Sequence, residues 1–389
     1  MHQTHNLQQR MRLFISIFLP ILIYQLANFS ASFVDTTMTG QYDTLHLAGV
    51  SMATSLWIPF FDLLIGIVSA LVPIIGHHLG QGKKEKIASD FYQFIYLSLG
   101  LSLILFALVF VGAPLVLSHL GLEPLVEEVA KNYLWYLALG IIPLLLFSTI
   151  RSLFDALGLT KLSMYLMLLL LPLNGTFNYA LIYGAFGFPE MGGAGAGLGT
   201  SLAYWVLLLI SLLVAVKHPK IRAYELWKIR PLDKKGLIEG IRLGLPIGGT
   251  FFAEVVIFSV VGLVMSKFSS LIIASHQAAM NFSNLMYAFP MSISTSMSII
   301  VSYEIGANRP DDVKKFCKLG RLTALGIAGF TFLFLYILRD RVAALYGSDT
   351  EFIRMTSVFL TYSLFFQLAD TFAAPLQGIL RGYKDTQVP

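Results

Sequence analysis

Apolar residues in this chain fall in runs of 20 or more, separated by short polar turns, and the runs recur along its whole length. At about 1.5 Å of rise per helical residue, such a run crosses a hydrocarbon core of about 30 Å. Ten crossings are predicted, at roughly 12–38, 46–79, 87–118, 125–157, 161–184, 193–216, 240–266, 270–304, 316–338 and 352–380. Several are long enough to tilt or to project beyond the core. The short alternating segments of a membrane β-barrel are absent. The pattern therefore predicts an all-α polytopic membrane protein, whose backbone groups are satisfied within helices.

The charges test that count. Alternate loops hold Arg10 and Arg12; Lys83, Lys84 and Lys86; Arg151 and Lys161; eight basic residues between Lys217 and Arg242; Arg309, Lys314, Lys315, Lys318 and Arg321; and Arg381 with Lys384. These are 22 of the 27 Lys and Arg, leaving Lys131, Lys267, Arg339, Arg341 and Arg354 on the other side. One missed or extra helix would scramble this asymmetry. The positive-inside rule places the N-terminus in the cytoplasm, as expected of a multi-pass protein of the cell (inner) membrane.

The pattern also repeats. Pro20 and Pro246, Ala48 and Ala274, and Gly80 and Gly306 are each 226 residues apart, and Gly158 matches Gly382 with a shift of 224. An even number of helices per copy makes the copies parallel, related by an axis along the membrane normal. This predicts two pseudo-symmetric helical lobes: residues 1–216 with six spans, a basic cytoplasmic linker at 217–239, and residues 240–389 with four. The first copy runs on for two spans past Gly158, so the expectation is a 6 + 6 parent of which ten helices are present here.

Composition narrows the class further. The chain is 56% hydrophobic and only 13% charged, about half the charge of a soluble domain. Its net charge of +5 sits in loops beside the spans, so it signals a lipid bilayer as partner and not nucleic acid. A single cysteine, Cys317, excludes an internal disulfide and offers no metal site. The apolar run before Asn28-Phe-Ser-Ala31 is too long for a signal-peptide core.

Against this background, acids inside spans stand out, because a carboxylate at a helix centre costs roughly 2.5–3.5 kcal/mol to insert. Glu254 lies 12 residues past Arg242, about 18 Å deeper, and Asp370 lies 11 residues before Arg381, about 16 Å. Two acids from distant helices are thus expected at one depth, either as a cation site or as buried neutral carboxyls. Tyr287 offers a ring for a cation–π contact or for packing. Asp35 lies 23 residues past Arg12, about 34 Å along, which puts it towards the outer side. Asn174 and Asn178, one turn apart, and more weakly Thr200, offer amides and a hydroxyl to orient Asp35, ligate a cation, or simply join helices. Asp62 is a further intramembrane acid with no evident partner, and Asp155 is expected to pair with Arg151 one turn away. Pro20 and Pro246 free carbonyls at equivalent repeat positions and are the hinge candidates. The glycines of 192–199 are not a phosphate loop, since no Lys-Ser/Thr follows them.

Particular stretches carry a resemblance. Val34-Asp-Thr-Thr-Met-Thr-Gly40, Leu79-Gly-Gln-Gly-Lys83, Leu181-Ile-Tyr-Gly184, Gly192-Gly-Ala-Gly-Ala-Gly-Leu-Gly199, Leu243-Gly-Leu-Pro246 before Glu254, Ala274-Ser-His-Gln277 and Gln377-Gly-Ile-Leu-Arg-Gly382 follow one another in the order of the multidrug and toxic compound extrusion (MATE) family. The chain resembles its NorM-like branch, departing at Tyr383-Lys384, where the family often has a second glycine. The resemblance implies an antiporter, not an enzyme. It would export small cationic amphipathic compounds as a monomer without a cofactor, driven by inward Na⁺ or H⁺. It further implies that Glu254 and Asp370, with Tyr287 nearby, hold Na⁺, and that Asp35 serves substrate or proton. Asp62, Gln277 and Asp349 are the weaker substrate candidates.

Two rivals have distinguishing marks. A flippase for a lipid-linked or polyanionic substrate needs several basic residues within the spans, where this chain places acids. An intramembrane aspartyl protease needs a motif such as Gly-x-Gly-Asp, which neither Glu254 nor Asp370 has.

Overall fold

Apolar runs bounded by polar caps become long helices. In the computed structural model, residues 4–226, 228–265, 268–347 and 349–387 are described; Lys267, counted above by charge, lies outside them. The helices are α1 (Leu7–Tyr42), α2 (Thr44–Gly80), α3 (Lys84–His119), the bent pair α4 (Pro124–Ala138 and Ile141–Ala156), α5 (Thr160–Ile182), α6 (Gly193–Lys217), α7 (Lys234–Met265), α8 (Ser270–Gly306), α9 (Pro310–Ala344) and α10 (Thr350–Gly382). Among the described residues, nine helices are long and apolar enough to span a membrane. The pair α4, bent by 49°, makes the tenth. This agrees with the ten predicted crossings.

Side chains fix several helix starts by satisfying amides that lack a helical partner. Asn6 accepts from the Gln9 amide at 2.8 Å, Asp43 from Leu45 at 2.7 Å, and Asp349 from Phe352 at 2.9 Å. Asp233 does the same for Lys235 and Gly236, at 3.0 and 3.3 Å. Helix α7 consequently begins inside the segment read as linker, six residues before the apolar run that announced it.

The remaining linker is not a free tether. Three polar residues on one stretch of α3 bind its backbone. Tyr92 and Tyr96 donate to the carbonyls of Leu226 and Arg230 at 2.6 and 2.7 Å. Gln93, 1% exposed, donates to the Pro231 carbonyl at 3.0 Å and accepts from the Asp233 amide at 2.8 Å. Replacing Gln93 by Ala strands both backbone groups, so a loss of roughly 1–3 kcal/mol is expected. A lower thermal unfolding midpoint and faster tryptic cleavage after Lys228 would register it.

Helices α1–α6 pack on one another, as do α8, α9 and α10; the sequence repeat groups α7 with the second set, while its main packing partners are α2 and α3. The first lobe buries Phe14, Phe94, Phe147 and Phe154 almost completely. The second has its own cluster around Phe282, Leu335, Leu360 and Leu364. Helix α7 lies along α2, where Gly66 meets the Gly248 backbone and Gly244 meets the Ile67 carbonyl.

At the end of the bundle that carries the basic loops, the lobes are locked together. A Cβ on Gly80 would collide with the Tyr303 carbonyl oxygen, and one on Gly306 would collide with the His77 carbonyl oxygen. These pairs exchange under the 226-residue shift, so the repeat survives as a pseudo-twofold contact between α2 and α8. Around it, His77 bonds the Gly382 carbonyl at 2.8 Å and Arg10 bridges to Asp312 at 3.2 Å. At the opposite end the polar contacts among the described residues stay within lobes, as in Tyr42 to Glu190 at 2.8 Å and Tyr346 to Asn281 at 3.1 Å.

Candidate functional site

In the first lobe, α1, α5 and α6 converge on Asp35. Asn178 donates to one of its carboxylate oxygens and Thr200 to the other, the latter at 3.5 Å. Asn174 completes the cluster, donating to Thr200 at 3.0 Å and accepting from Asn178 at 3.3 Å. All four residues named from sequence thus meet in one network. The side-chain amide oxygen of Asn178 is buried against Gly199 with no hydrogen-bond partner. The glycine run explains the approach: Gly199 lies against the Asn178 side chain, and a Cβ on Gly195 would sit 2.6 Å from the Leu181 carbonyl oxygen. Small residues here let α5 and α6 pack closely.

The second cluster lies where α2, α7, α8 and α10 face one another. Tyr287 and Gln377 approach the Glu254 carboxylate, and Asp370 and Arg381 act on it electrostatically. Tyr287 senses both Glu254 and Asp370. Asp62, partnerless in the sequence, has Glu254 as its charged neighbour across the lobe boundary. Phe60 and Phe252, one turn or less away on the same two helices, touch with ring centroids 5.8 Å apart.

Register shows how these residues stack. Gln367 donates to Ser283 at 3.3 Å, and Gly378 lies against the Ser294 backbone, so α8 and α10 run side by side with Tyr287 level with Asp370. Gln377, near Glu254, is seven residues past Asp370, or about 10 Å. Glu254 is thus approached both from the level of Tyr287, which is that of Asp370, and from that of Gln377. Arg381, taken from sequence as the span boundary, folds inward, its guanidinium carbon 4.9 Å from the Phe251 ring centroid. Its Nε and Nη2 are buried without a hydrogen-bond partner.

The other candidates are placed as follows. Asp349 is exposed and caps α10. Gln277 is exposed on α8, ten residues (about 15 Å) before Tyr287. Pro20 and Pro246 both sit inside unbroken helices. The Ser16 carbonyl that Pro20 leaves without a helical donor accepts from Thr160 at 3.4 Å. Asp155 does not close a pair with Arg151: it accepts from Ser163 at 2.7 Å, while Arg151 lies 5.0 Å from the Tyr24 ring centroid. Sequence reasoning missed Gln377 and the inward turn of Arg381. Their four-residue spacing within Gln377-Gly-Ile-Leu-Arg-Gly382, which puts them on one helix face, was the available signal. No three His, Cys, Asp or Glu side chains converge as a metal cage among the described residues.

Comparison with known proteins points one way. The profile of the MatE family matches the chain twice, over residues 20–180 and 246–389. The chain is 71% identical over 389 residues to the probable multidrug resistance protein NorM of Streptococcus pneumoniae serotype 4 (strain ATCC BAA-334 / TIGR4), covering 100% of itself and 86% of that protein. It is 39% identical over 386 residues to the protein of the same name from Bacillus subtilis (strain 168), covering 99% and 85%. In fold it is similar to a MATE crystal structure in the straight conformation, with a TM-score of 0.88 at 16% identity over 97% of this chain and 84% of that one. It is also similar to a eukaryotic MATE transporter, AtDTX14, with a TM-score of 0.85 at 17% identity over 98% and 84%.

Proposed function

Because this chain belongs to the MatE family, as a NorM-like member, we propose that it is a multidrug efflux transporter that works as a secondary antiporter, exporting small cationic amphipathic compounds against inward Na⁺ or H⁺. The observation that carries this reading is the cluster of Asp62, Glu254 and Asp370 facing one another across the lobe boundary. Three carboxyl groups at one intramembrane site favour cationic cargo. They disfavour a polyanionic or lipid-linked substrate, which would need an excess of basic groups there.

Glu254 and Asp370, with Tyr287 beside both, hold the coupling cation in this reading, and Asp35 with Asn174, Asn178 and Thr200 forms a second cation or proton site. Coupling does not require drug and ion to touch. It requires only that they favour opposite conformations. Each positive charge moving inward gains about 2.3 kcal/mol per 100 mV. With the basic end in the cytoplasm, the locked contact of Gly80 and Gly306 closes the inner side.

The test is ethidium transport in proteoliposomes under an imposed Na⁺ gradient at fixed pH, then under a pH gradient without Na⁺. Transport under the first that disappears in Asp370→Asn places coupling in the second lobe. Transport under only the second, lost in Asp35→Asn, places it in the first. Transport under neither would overturn the antiporter reading.

A further inference from the structure

Arg381 has a place in neither cluster as the sequence presents them, yet its head group lies inside the second. Glu254 and the hydroxyl of Tyr287 are the groups that act on it, and Glu254 in turn has Asp370 and Asp62 as charged neighbours. Leaving such charges without a counter-ion in low dielectric is costly. An antiporter must nonetheless pass through states in which a given cation has left. Resting on the antiporter reading above, we propose that Arg381 is a positioning residue, a tethered cation that moves onto Glu254 when the coupling cation departs and withdraws to the Phe251 ring when one arrives.

Three features of the geometry support this. First, Phe251 is one turn from Glu254 on α7, so the guanidinium over its ring stands next to the carboxylate's own face of the helix. Second, Arg381 forms no ion pair with Glu254 among the described residues, although it is the foremost charge acting on that group. Third, its Nε and Nη2 are buried and unpartnered. Buried donors normally find acceptors, and the acceptor within reach is the carboxylate that the coupling cation would use. The ring supplies the alternative resting place, since a guanidinium over an aromatic face is held by cation–π attraction. Gln377, one turn from Arg381 on the same face of α10, approaches the Glu254 carboxylate and helps to keep it turned towards the pair.

The two arrangements compete for one carboxylate, so changing either should shift cation affinity in opposite directions. In proteoliposomes, the concentration of the driving cation (Na⁺ or H⁺, whichever drives the unmodified chain) that half-saturates ethidium efflux is measured for Arg381→Gln, Arg381→Lys and Phe251→Leu. Arg381→Gln removes the competitor, and half-saturation is expected at about tenfold lower concentration, with a slower maximal rate because nothing displaces the bound cation. Arg381→Lys keeps a charge and stays close to the unmodified chain. Phe251→Leu removes the resting place and raises the half-saturating concentration. This last variant also decides the matter if Arg381→Gln does not fold. Unchanged half-saturation in Arg381→Gln or Phe251→Leu, or an Arg381→Lys that behaves like Arg381→Gln, overturns the role of Arg381 while leaving antiport intact. Absence of cation-driven efflux in the unmodified chain fails the antiporter reading, and this proposal falls with it.

Discussion

Glu254→Gln and Asp370→Asn are each expected to lower cation-driven ethidium efflux roughly a hundredfold or more, a loss of about 2.7 kcal/mol at 1.36 kcal/mol per decade. The same substitutions should leave the protein as stable as before, or more so. Each keeps the shape of the side chain and one acceptor oxygen but removes a charge whose burial opposes folding. The two readouts therefore separate: transport in proteoliposomes collapses, while the unfolding midpoint followed by size-exclusion chromatography after heating holds or rises. A structural role for these acids predicts the reverse pairing, a fall in the midpoint with efflux lost only in proportion. Full efflux in either variant would move the coupling site elsewhere. Asp62→Asn offers a graded comparison, since that acid reaches the cluster from the other lobe.

Gly306→Leu is expected to have the second large effect, through the closure of the basic end. Any side chain at this position meets the His77 backbone, which cannot swing aside as a flexible side-chain tip would. Helices carrying ordinary side chains at their crossing stand about 8–10 Å apart, so the contact between α2 and α8 must widen or break. Spin labels at exposed Lys86 and Lys314 in a Cys317→Ser background should then report a longer and broader distance distribution than in the unmodified chain. Transport should fall to background, because one of the two states needed for alternating access is lost. Gly80→Leu should reproduce the effect, because it meets the Tyr303 carbonyl from the other side. An unchanged distance distribution in both variants would show that the contact does not hold the lobes.

The fold was largely legible in the sequence, because spans and charge asymmetry are properties of whole segments and tolerate local error. The ten apolar runs, the alternation of basic loops and the 226-residue shift all describe the same bundle. The Asp35 network was also legible, since Asn174 and Asn178 sit one turn apart on a helix and must face one way. The second cluster was read less completely. Counting rise from the nearest basic residue assumes that this residue stays at the membrane surface, and Arg381 does not. Its long side chain carries the charge inward to the Phe251 ring, into the cluster that the sequence assigned to the acids and Tyr287 alone. Arg151, expected to pair with Asp155 one turn away, likewise sends its head group to the Tyr24 ring. A linear sequence gives the attachment point of a flexible side chain but not where its charge comes to rest. The start of α7 was missed for a related reason: hydropathy sees the apolar run, whereas the helix begins where Asp233 can cap it.

The reciprocal contact at the basic end has a consequence for how such a molecule could arise. Gly80 meets the residue that corresponds to His77, and Gly306 meets His77 itself. This is the rule of an isologous dimer, in which a patch on one subunit is complementary to the same patch on its twin. A single gene for the first lobe would already encode both sides of the joint, so two such proteins could close on each other before any fusion joined them. The linker strapped along α3 then needs only to connect the copies, since the fit between them precedes the covalent bond. On this view the surviving glycines are the imprint of a homodimer inside one polypeptide.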